Sequence, residues 1–445
     1  MDFPDPDTVE AALPDVSFPT FFDMSYDPPA PELDDVAAAA RAAVGDLPLE
    51  SLPAGATVAV GLGSRGITNI VEIATAVVGE LADRGFDPVV VPAMGSHGGA
   101  TAEGQRRTLA TLGLTEDALG CSIDPRMDTQ LVGESAIGGD VYLAETVLEA
   151  DAVLVVNRIK AHTNFDGTFE SGLCKMSTIG LGKQVGAKAI HEQALVKGYE
   201  PAIGGAFEVV REATTHLGGV AIVENFYDET AEVTGVPAGD LPEREGDLLE
   251  RAYEHMPMLP YDELDVLVVD QIGKDISGAG MDTNVIGRYE VLNTDDPEFP
   301  DIKRILVRGL TEATHGNGQG IGLADLTTEA VIAELDLDQI YTNALTSGSL
   351  SKARLPVALP TDRHALTAAV SSIGPYDPET VRIAWIRDTG HLSAFRVSSA
   401  LAREDVTHVS VTGESRLSFE RGNPRSTLSS SRSLFSGLLP LYEEF

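Results

Sequence analysis

The segment ATVAVGLGSRGITNIVEIATAVVGELADRGFDPVVVPAM, residues 56–94, contains the pattern that decides the fold. The apolar run at 56–62 is typical of a buried strand, and apolar residues at helical spacing follow over 67–85 before a glycine stop. A second apolar run occupies 88–94. Apolar strands that alternate with helices indicate an α/β fold, in which a mostly parallel sheet is buried on both faces.

The same alternation continues along the chain and predicts two α/β domains. A strong buried strand is predicted at 151–159, and the pattern restarts with LDVLVVDQIG at 264–273. Between them, residues 228–262 are charged and punctuated by proline, which predicts an interdomain connection. We therefore expect an N-terminal domain at 1–255 and a C-terminal domain at 262–445, both with mostly parallel sheets and with the active site in the cleft between them.

The charge of the chain excludes several classes of protein. Its 445 residues include 31 Lys and Arg against 69 Asp and Glu, a net charge of −38. Such a chain repels phosphate backbones and anionic membranes, while 43% apolar residues argue against disorder. Only 8 of the 31 cations are lysines, and five of those lie between Lys160 and Lys197. Acidity with suppressed lysine is typical of a salt-adapted, halophilic protein, because molar salt shortens the Debye length to about 3 Å and so screens the repulsion between its charges. The alternative is an ordinary acidic protein.

The remaining composition favours a cytoplasmic location. Two cysteines, Cys121 and Cys174, cannot form a disulfide framework or a C-x-x-C zinc site. The N-terminus is acidic and proline-rich, without the features of a signal peptide. No uninterrupted apolar stretch approaches the roughly 18 residues of a membrane span. We expect an enzyme-sized cytoplasmic protein.

A glycine-rich turn, Gly61-Leu-Gly63-Ser-Arg-Gly66, follows the first predicted strand. It matches the G-x-G-x-x-G pattern of dinucleotide-binding turns, so an NAD(P)-dependent oxidoreductase is one hypothesis. The second strand ends without the acidic residue that would hold a ribose, which weighs against it. Arg65 suits a carboxylate or a phosphate instead, because its guanidinium binds such groups through two hydrogen bonds.

Two further segments follow predicted strands and so belong to the edge of the sheet where α/β folds bind ligands. His97 lies in the turn Gly95-Ser-His-Gly-Gly99, where glycines leave its ring uncovered, and it is a candidate general acid or base. Residues 158–193 gather His162, Lys175, Lys183, Lys188 and His191 with five glycines. This concentration predicts an anion or cofactor site with a reactive lysine, and two histidines that could help to hold a metal. The alternative is a cationic loop folded onto an acidic surface.

A fourth candidate opens the second domain. Gln271 and Lys274 follow the strand at 264–273, and Lys274 is one of three lysines outside the cluster. An amide and an ammonium at a strand end suit a phosphate or carboxylate partner, although a polar turn would have the same composition.

Together these motifs resemble the nickel-pincer lactate racemase family of 2-hydroxyacid racemases and epimerases, as a distant branch. The resemblance covers roughly residues 55–290 and rests on the order and spacing of several positions. The matching positions are Arg65, His97, His162, Lys175, His191, Gln271 and Lys274.

The resemblance implies a role for each position. His97 and His162 would act as alternating acid and base on the two faces of the substrate. Lys175, in SGLCKMSTIG, would carry the cofactor, a nickel-bound pyridinium-3-thioamide-5-thiocarboxylic acid mononucleotide, and His191 would coordinate the nickel. Arg65 would hold the substrate carboxylate.

The resemblance also implies the reaction and the partners. The cofactor would reversibly accept a hydride from the α-carbon of a small anionic 2-hydroxyacid, and the protein would supply the bases. Gln271 and Lys274 would contact the nucleotide phosphate, and cofactor-synthesis enzymes would be needed for maturation. No nucleic-acid or membrane partner is expected.

The sequence departs from the family pattern at two places, and two alternatives stay open. The acidic residue that precedes the arginine in better-known members is replaced by Leu62 or Gly63, and Cys174 and Met176 flank the lysine in place of a polar pair. The spacing of Trp385, the only tryptophan, does not identify it as a substrate-pocket residue. Besides the NAD(P)-dependent oxidoreductase, the chain could be a non-catalytic protein that binds the pincer nucleotide.

Overall fold

The structure is a computed structural model that describes residues 3–64, 66–420 and 422–428. It divides into two compact units. The first unit is Ala30–Met256, and the second unit combines Met1–Pro29 with Pro257–Phe445. Within the described residues, no helix is long and apolar enough to cross a membrane.

The strands are numbered in chain order: β1 Thr20–Tyr26, β2 Thr57–Leu62, β3 Asp87–Pro92, β4 Ser122–Ile123, β5 Thr129–Glu134, β6 Asp140–Ala144, β7 Ala152–Arg158, β8 His216–Glu224, β9 Thr230–Pro237, β10 Glu263–Val269, β11 Asp301–Val307, β12 Leu326–Thr328, β13 Val357–Leu359, β14 Ile383–Ile386, β15 Ala394–Ser398, β16 Val409–Glu420 and β17 Asn423–Leu428. The α-helices are α1 Pro6–Ala12, α2 Val36–Gly45, α3 Ile70–Asp83, α4 Ala102–Thr111, α5 Glu116–Leu119, α6 Glu145–Glu149, α7 Leu173–Lys175, α8 Lys183–Lys197, α9 Tyr199–Ala213, α10 Glu243–His255, α11 Thr283–Ile286, α12 Glu329–Glu334, α13 Leu337–Ser347, α14 Asp362–Ser371 and α15 Ser399–Ala402. One π-helical turn, Met176–Gly180, directly follows α7 and precedes α8.

The first unit is built on a six-stranded sheet in the order β4-β3-β2-β7-β8-β9. All neighbouring strands are parallel except β8 and β9, which run antiparallel. The central strands are continuous apolar runs because helices cover both faces, and all nine residues of β8 are buried. The α/β fold and the parallel sheet predicted from residues 56–94 are confirmed in this unit.

The sheet of the second unit is mixed rather than mostly parallel. Its order is β13-β12-β11-β10-β14-β15-β1-β16-β17. The five strands from β13 to β14 are parallel, and every pair from β14 onwards is antiparallel. Along 413–419 of β16, more buried and exposed residues alternate, which is the pattern of a sheet with one solvated face. The prediction of mostly parallel sheets is wrong for this half.

The N-terminal segment belongs to the second unit, whereas the sequence pattern placed it in the first. β1 lies between β15 and β16 and pairs with both. Phe21 on β1 is fully buried, and its ring meets Trp385 edge to face at 6.0 Å between centroids. The sequence of a short strand near the N-terminus does not indicate a partner strand almost 400 residues away. The unit to which β1 belongs is therefore seen only from its pairing in the folded structure.

Residues 228–256 are part of the first unit and not an interdomain connection. They form β9, which pairs with β8, and α10, which buries Leu248, Leu249 and Ala252 on one face. Their charged residues lie mainly on the solvent side of an edge strand and an amphipathic helix, and this composition imitates a linker. The division between the units falls at Met256 and Pro257.

Candidate functional site

Three adjacent parallel strands bring the candidate residues of the first unit to one edge of the sheet. β2 lies between β3 and β7, and their carboxyl ends point the same way. The loop after β3 carries His97, the loop after β2 carries Ser64, and the loop after β7 carries His162. The two histidines therefore start from strands that are two strand spacings apart, about 10 Å. Arg65 lies outside the described residues.

His97 stands on a tightly folded turn. Gly95 and Gly98 adopt left-handed φ values of 57° and 69°, and a Cβ atom on Gly98 would come within 2.6 Å of the backbone of Gly104. The side chain of His97 is exposed, and its Nδ1 lies 2.5 Å from the hydroxyl oxygen of Ser64. This hydrogen bond fixes the ring orientation and leaves a neutral hydroxyl beside a candidate proton carrier.

His162 is buried, and the loop that carries it is held by a buried carboxylate. Its Nδ1 accepts a hydrogen bond from the backbone amide of Asn164 at 3.1 Å, so the neutral ring has its proton on Nε2. Glu170 is fully buried and accepts from the backbone amide of His162, from that of Gly167 at 3.2 Å and from the hydroxyl of Tyr253 at 2.8 Å. Burial raises the pKa of Glu170 to about 7, although these donors favour its charged form.

Tyr199 joins the loop of His162 to the helix of His191. Its ring is stacked on Phe165 with 5.1 Å between centroids, lies 5.6 Å from the ring of His162 and meets that of His191 edge to face at 5.9 Å. Tyr199 is buried at the start of α9. The two candidate histidines 162 and 191 therefore share one aromatic neighbour.

Lys175 ends the short helix α7, immediately before the π-helical turn Met176–Gly180. Its side chain is half-buried, and its Nζ donates to the hydroxyl of Ser171 at 3.1 Å. The fully buried Glu245 of α10 accepts from the amide of Cys174 at 2.9 Å. Burial raises the pKa of Glu245 to about 7. Single π-helical turns are rare in proteins, and those that occur are frequently found at functional sites.

The lysine segment contacts the loops that follow β2 and β3. The carbonyl of Gly180 accepts from the amide of Gly95 at 3.1 Å, in the turn that carries His97. A Cβ atom on Gly63 would lie 2.8 Å from Cε of Met176, so this glycine makes room for the residue after Lys175. The edge of the sheet thus unites the His97 turn, the glycine-rich turn and the Lys175 segment.

His191 lies on α8, where the positive charge of Lys175 acts on its imidazole. The pKa of His191 is lowered to about 4, first by the dense protein around the ring and then by the positive charge of Lys175. The residue also keeps solvent-exposed surface, so the loss of hydration at the ring is only partial. The ring is neutral at pH 7, the form that binds a metal ion.

Lys175 and His191 supply the kinds of donor that the cofactor implied by the sequence resemblance would use. Among the described residues, no group of three or more His, Cys, Asp or Glu side chains could hold a metal ion. A half-buried amine at Lys175 and a neutral imidazole at His191 are the donors available for a tethered group and for a single metal–protein bond. Imidazole is a suitable ligand for nickel.

The glycine-rich turn does not have the geometry of a dinucleotide site. Gly61 lies inside β2, and α3 begins at Ile70, four residues after Gly66. The amide of Thr68, just before this helix, donates to the carboxylate of Glu224 at 2.7 Å. A protein carboxylate thus takes a donor that a pyrophosphate would use, which weighs against the NAD(P) hypothesis.

Gln271 and Lys274 lie in the second unit, after β10. The amide of Gln271 donates to the buried Asp388 at 3.2 Å, and Asp388 also bonds Nδ1 of His391 at 2.7 Å. Nζ of Lys274 donates to the carbonyl of Gly278 at 2.5 Å. Both predicted residues therefore lie at the carboxyl edge of that unit's own sheet, as expected from the sequence.

Trp385 is a core residue of the second unit. It is buried on β14, its Nε1 donates to Asp270 at 2.7 Å, and the guanidinium of Arg308 lies 4.9 Å from its ring centroid. These contacts explain why Trp385, the only tryptophan of the chain, is buried. They require no role for it in substrate binding.

Sequence reasoning missed several residues that support the site. They are Ser64, Glu170, Tyr199 and Glu245. Ser64 is 33 residues from His97 and Glu170 is eight residues from His162, so only their location inside segments that the sequence singled out was a usable signal. Glu245 carried none, because it appeared as one charge among many in residues 228–262.

The fold is similar to that of the lactate racemase apoprotein from Thermoanaerobacterium thermosaccharolyticum. The two structures align with a TM-score of 0.52 over 83% of this chain and 98% of that chain, with 11% sequence identity. No protein-family model and no curated protein matches the sequence. The chain therefore has a lactate racemase-like α/β fold, and at this identity the likeness shows the fold alone.

Proposed function

We propose that the chain is a racemase or epimerase of a 2-hydroxyacid that works with a nickel-pincer nucleotide attached to Lys175. The observation that carries the proposal is the placement of His97 and His162 at the ends of β3 and β7, on either side of β2. Inversion at one carbon needs a proton acceptor on each face of the substrate. The lactate racemase-like fold supports the same proposal.

The amine of Lys175 would carry the cofactor, and the neutral His191 would bind its nickel. When bound, the group supplies a reversible two-electron acceptor for the α-carbon of the substrate. Gln271 and Lys274 of the second unit are proposed to contact its phosphate, since an amide and an ammonium bind phosphate oxygens.

His97 and His162 would exchange the proton of the substrate hydroxyl, one for each enantiomer. His97 is exposed, and its ring is oriented by the hydroxyl of Ser64. His162 presents an N–H at Nε2 while Nδ1 accepts from Asn164. To take a proton at Nε2, it must move its ring proton to Nδ1 and open the Asn164 bond.

The substrate class follows from the cation proposed beside the histidines. Arg65 would hold the carboxylate through two hydrogen bonds, on the basis of sequence position alone. A small anionic 2-hydroxyacid fits this arrangement. Cofactor-synthesis enzymes would be required to load the protein, and an acidic, lysine-poor surface suits assay in concentrated salt.

The test is a conversion screen with protein from a host that expresses cofactor-synthesis enzymes. Each enantiomer of a panel of aliphatic, aromatic and sugar-derived 2-hydroxyacids is incubated at high salt, and both enantiomers are separated by chiral chromatography. We expect one acid to approach the same mixture from either side. Protein from a host without those enzymes should be folded and inactive; equal turnover by the two preparations would contradict the proposal.

The alternatives give different outcomes. A non-catalytic nucleotide-binding protein would carry the cofactor and convert none of the acids, and His97→Ala would leave its properties unchanged. An NAD(P)-dependent enzyme would show conversion that depends on added nicotinamide cofactor, and not on the host.

A further inference from the structure

A lysine is fully buried beneath the turn that carries His97. Lys183 has 0% exposed surface, in a chain with only eight lysines. Its Nζ donates to the carbonyl of Pro92 at 2.8 Å, at the end of β3, and to Oε1 of Gln105 at 3.1 Å, on α4. Burial lowers the pKa of Lys183 to about 8. Burying an ammonium costs free energy, so its retention in a lysine-poor chain needs an explanation.

Lys183 determines which way the Gln105 amide faces. An ammonium only donates hydrogen bonds, so Gln105 must present its oxygen to Lys183 and its NH₂ group to the opposite side. On that side, Nε2 of Gln105 donates to the carbonyl of Gly95 at 2.9 Å and to that of His97 at 3.4 Å. Gln105 is also fully buried, so water does not compete for these bonds.

The turn of His97 has little freedom to move away from this support. A Cβ atom on Gly104 would lie 1.7 Å from the carbonyl oxygen of Gly98, so α4 and the turn are in direct backbone contact. The ring of His97 is held through its Nδ1 by the hydroxyl of Ser64. A chain of hydrogen bonds therefore runs from Lys183 through Gln105 to the backbone of His97, and from its ring to Ser64.

We propose that Lys183 and Gln105 are positioning residues that set the location of the His97 ring at the carboxyl edge of the sheet. Lys183 fixes the amide of Gln105, and Gln105 fixes the carbonyls of Gly95 and His97. The consequence for turnover rests on the proposed function, whereas the consequence for the ring of His97 does not.

Four variants separate positioning from stability. Gln105→Glu keeps the size and the contact with Lys183, but a carboxylate cannot donate to the two carbonyls. The double variant Lys183→Met with Gln105→Leu replaces both buried polar side chains with apolar ones of similar size and removes the donors to the carbonyls of Pro92, Gly95 and His97. Lys183→Met alone leaves an unsatisfied amide, and Lys188→Met is the matched control, since Lys188 is exposed on the same helix.

The first readout is the ¹⁵N spectrum of the histidine rings in cofactor-free protein, with the His97 signals assigned by His97→Gln. We expect one tautomer of His97 in the wild type and in Lys188→Met. In Gln105→Glu and the double variant, we expect shifts that report a weakened Nδ1 bond to Ser64. Folded variants with wild-type His97 signals would overturn the proposal and leave Lys183 a purely structural residue.

The second readout is turnover of loaded protein. Gln105→Glu and the double variant should lower kcat about 10- to 100-fold with little change in KM, because a misplacement of about 1 Å can cost about 100-fold. Unchanged kcat in both would also overturn the positioning role. If the wild type converts no acid, the proposed function fails while the ring spectra still decide the role of Lys183.

Discussion

The carboxyl edges of the two sheets hold their histidines in different ways. In the first unit, Nδ1 of His97 contacts the hydroxyl of Ser64, and Nδ1 of His162 accepts from a backbone amide. In the second unit, Nδ1 of His391 bonds directly to the buried carboxylate of Asp388. Burial alone would raise the pKa of Asp388, but the bonds from His391 and Gln271 lower it.

The carboxylates near the two edges differ in the same way. Glu170 and Glu245 of the first unit accept from backbone amides, and burial raises both pKa values to about 7. In the second unit, Asp270 and Asp362 pair with the guanidinium of Arg308. At the first edge, buried carboxylates therefore order the loops. The Nδ1 atoms of His97 and His162 bond to neutral groups, which suits proton exchange. The second edge uses charge pairs, which suit fixed structure.

The largest expected difference between the edges is in turnover. His97→Gln and His162→Gln should each lower kcat about 10²- to 10⁴-fold, the usual contribution of a general acid or base. His391→Gln should cost less than about 10-fold, because its imidazole is committed to Asp388. Chiral chromatography of the loaded variants measures all three. A larger loss in His391→Gln than in His97→Gln would reverse the assignment of the two edges.

The next effect is on the stability of the second unit. Arg308→Met should lower the free energy of unfolding by about 3 kcal/mol, because it leaves two carboxylates without their cation. The loss should lie at the low end for buried pairs, because the side chains of Arg308 and Asp270 keep 20% and 37% of their surface exposed. Urea unfolding measures the change. The control is Arg403→Met, whose pair with Glu379 is exposed and should contribute less than about 1 kcal/mol.

The third effect is a dependence of the unfolding free energy on pH, which arises from the buried Glu245 of the first unit. The pKa of Glu245 is about 7 in the folded protein and about 4.5 in the unfolded chain, so the folded protein binds this proton more tightly. The wild type should thus lose unfolding free energy as the pH rises from about 4.5 to 7. The side-chain amide introduced by Glu245→Gln can still accept from Cys174 and does not titrate.

The stability of Glu245→Gln relative to the wild type should therefore increase by about 2 to 3 kcal/mol between pH 5 and 8, at about 1.4 kcal/mol per pKa unit. Urea unfolding at several pH values gives this difference. A difference that stays constant over the range would show that Glu245 does not titrate there.

The smallest effect concerns the aromatic cluster. Tyr199→Phe keeps the ring that contacts Phe165, His162 and His191 and removes only the hydroxyl. A single hydrogen bond contributes about 1 kcal/mol, so kcat/KM should fall by less than about 10-fold. The kcat/KM of Tyr199→Ala should fall further, because the ring itself is lost. Equal losses in the two variants would mean that the hydroxyl and not the packing supports the histidines.

Much of the first unit could be predicted from the sequence, because buried parallel strands and the helices between them have distinct periods. β2, α3, β3 and β7 were expected close to their observed bounds. The meeting of the His97 and His162 loops at one edge was also expected, since both follow parallel strands.

The errors arose where the partner of a segment is distant in the chain. β1 pairs with strands near the other terminus, and residues 228–256 pack against β8 and the Lys175 segment. Local composition describes exposure and cannot reveal these partners. The supporting role of Glu245 and the link from Lys183 to Gln105 were hidden for the same reason, since each spans more than 70 residues.

The most direct test of the central claim is the mass of the peptide that contains Lys175, from protein loaded in a host with the cofactor-synthesis enzymes. We expect this peptide to carry the mass of the pincer nucleotide. Lys175→Ala should abolish the added mass of the intact protein, and Lys188→Met should retain it. An intact mass that shows the cofactor in Lys175→Ala, or an unmodified Lys175 in racemising protein, would contradict the account.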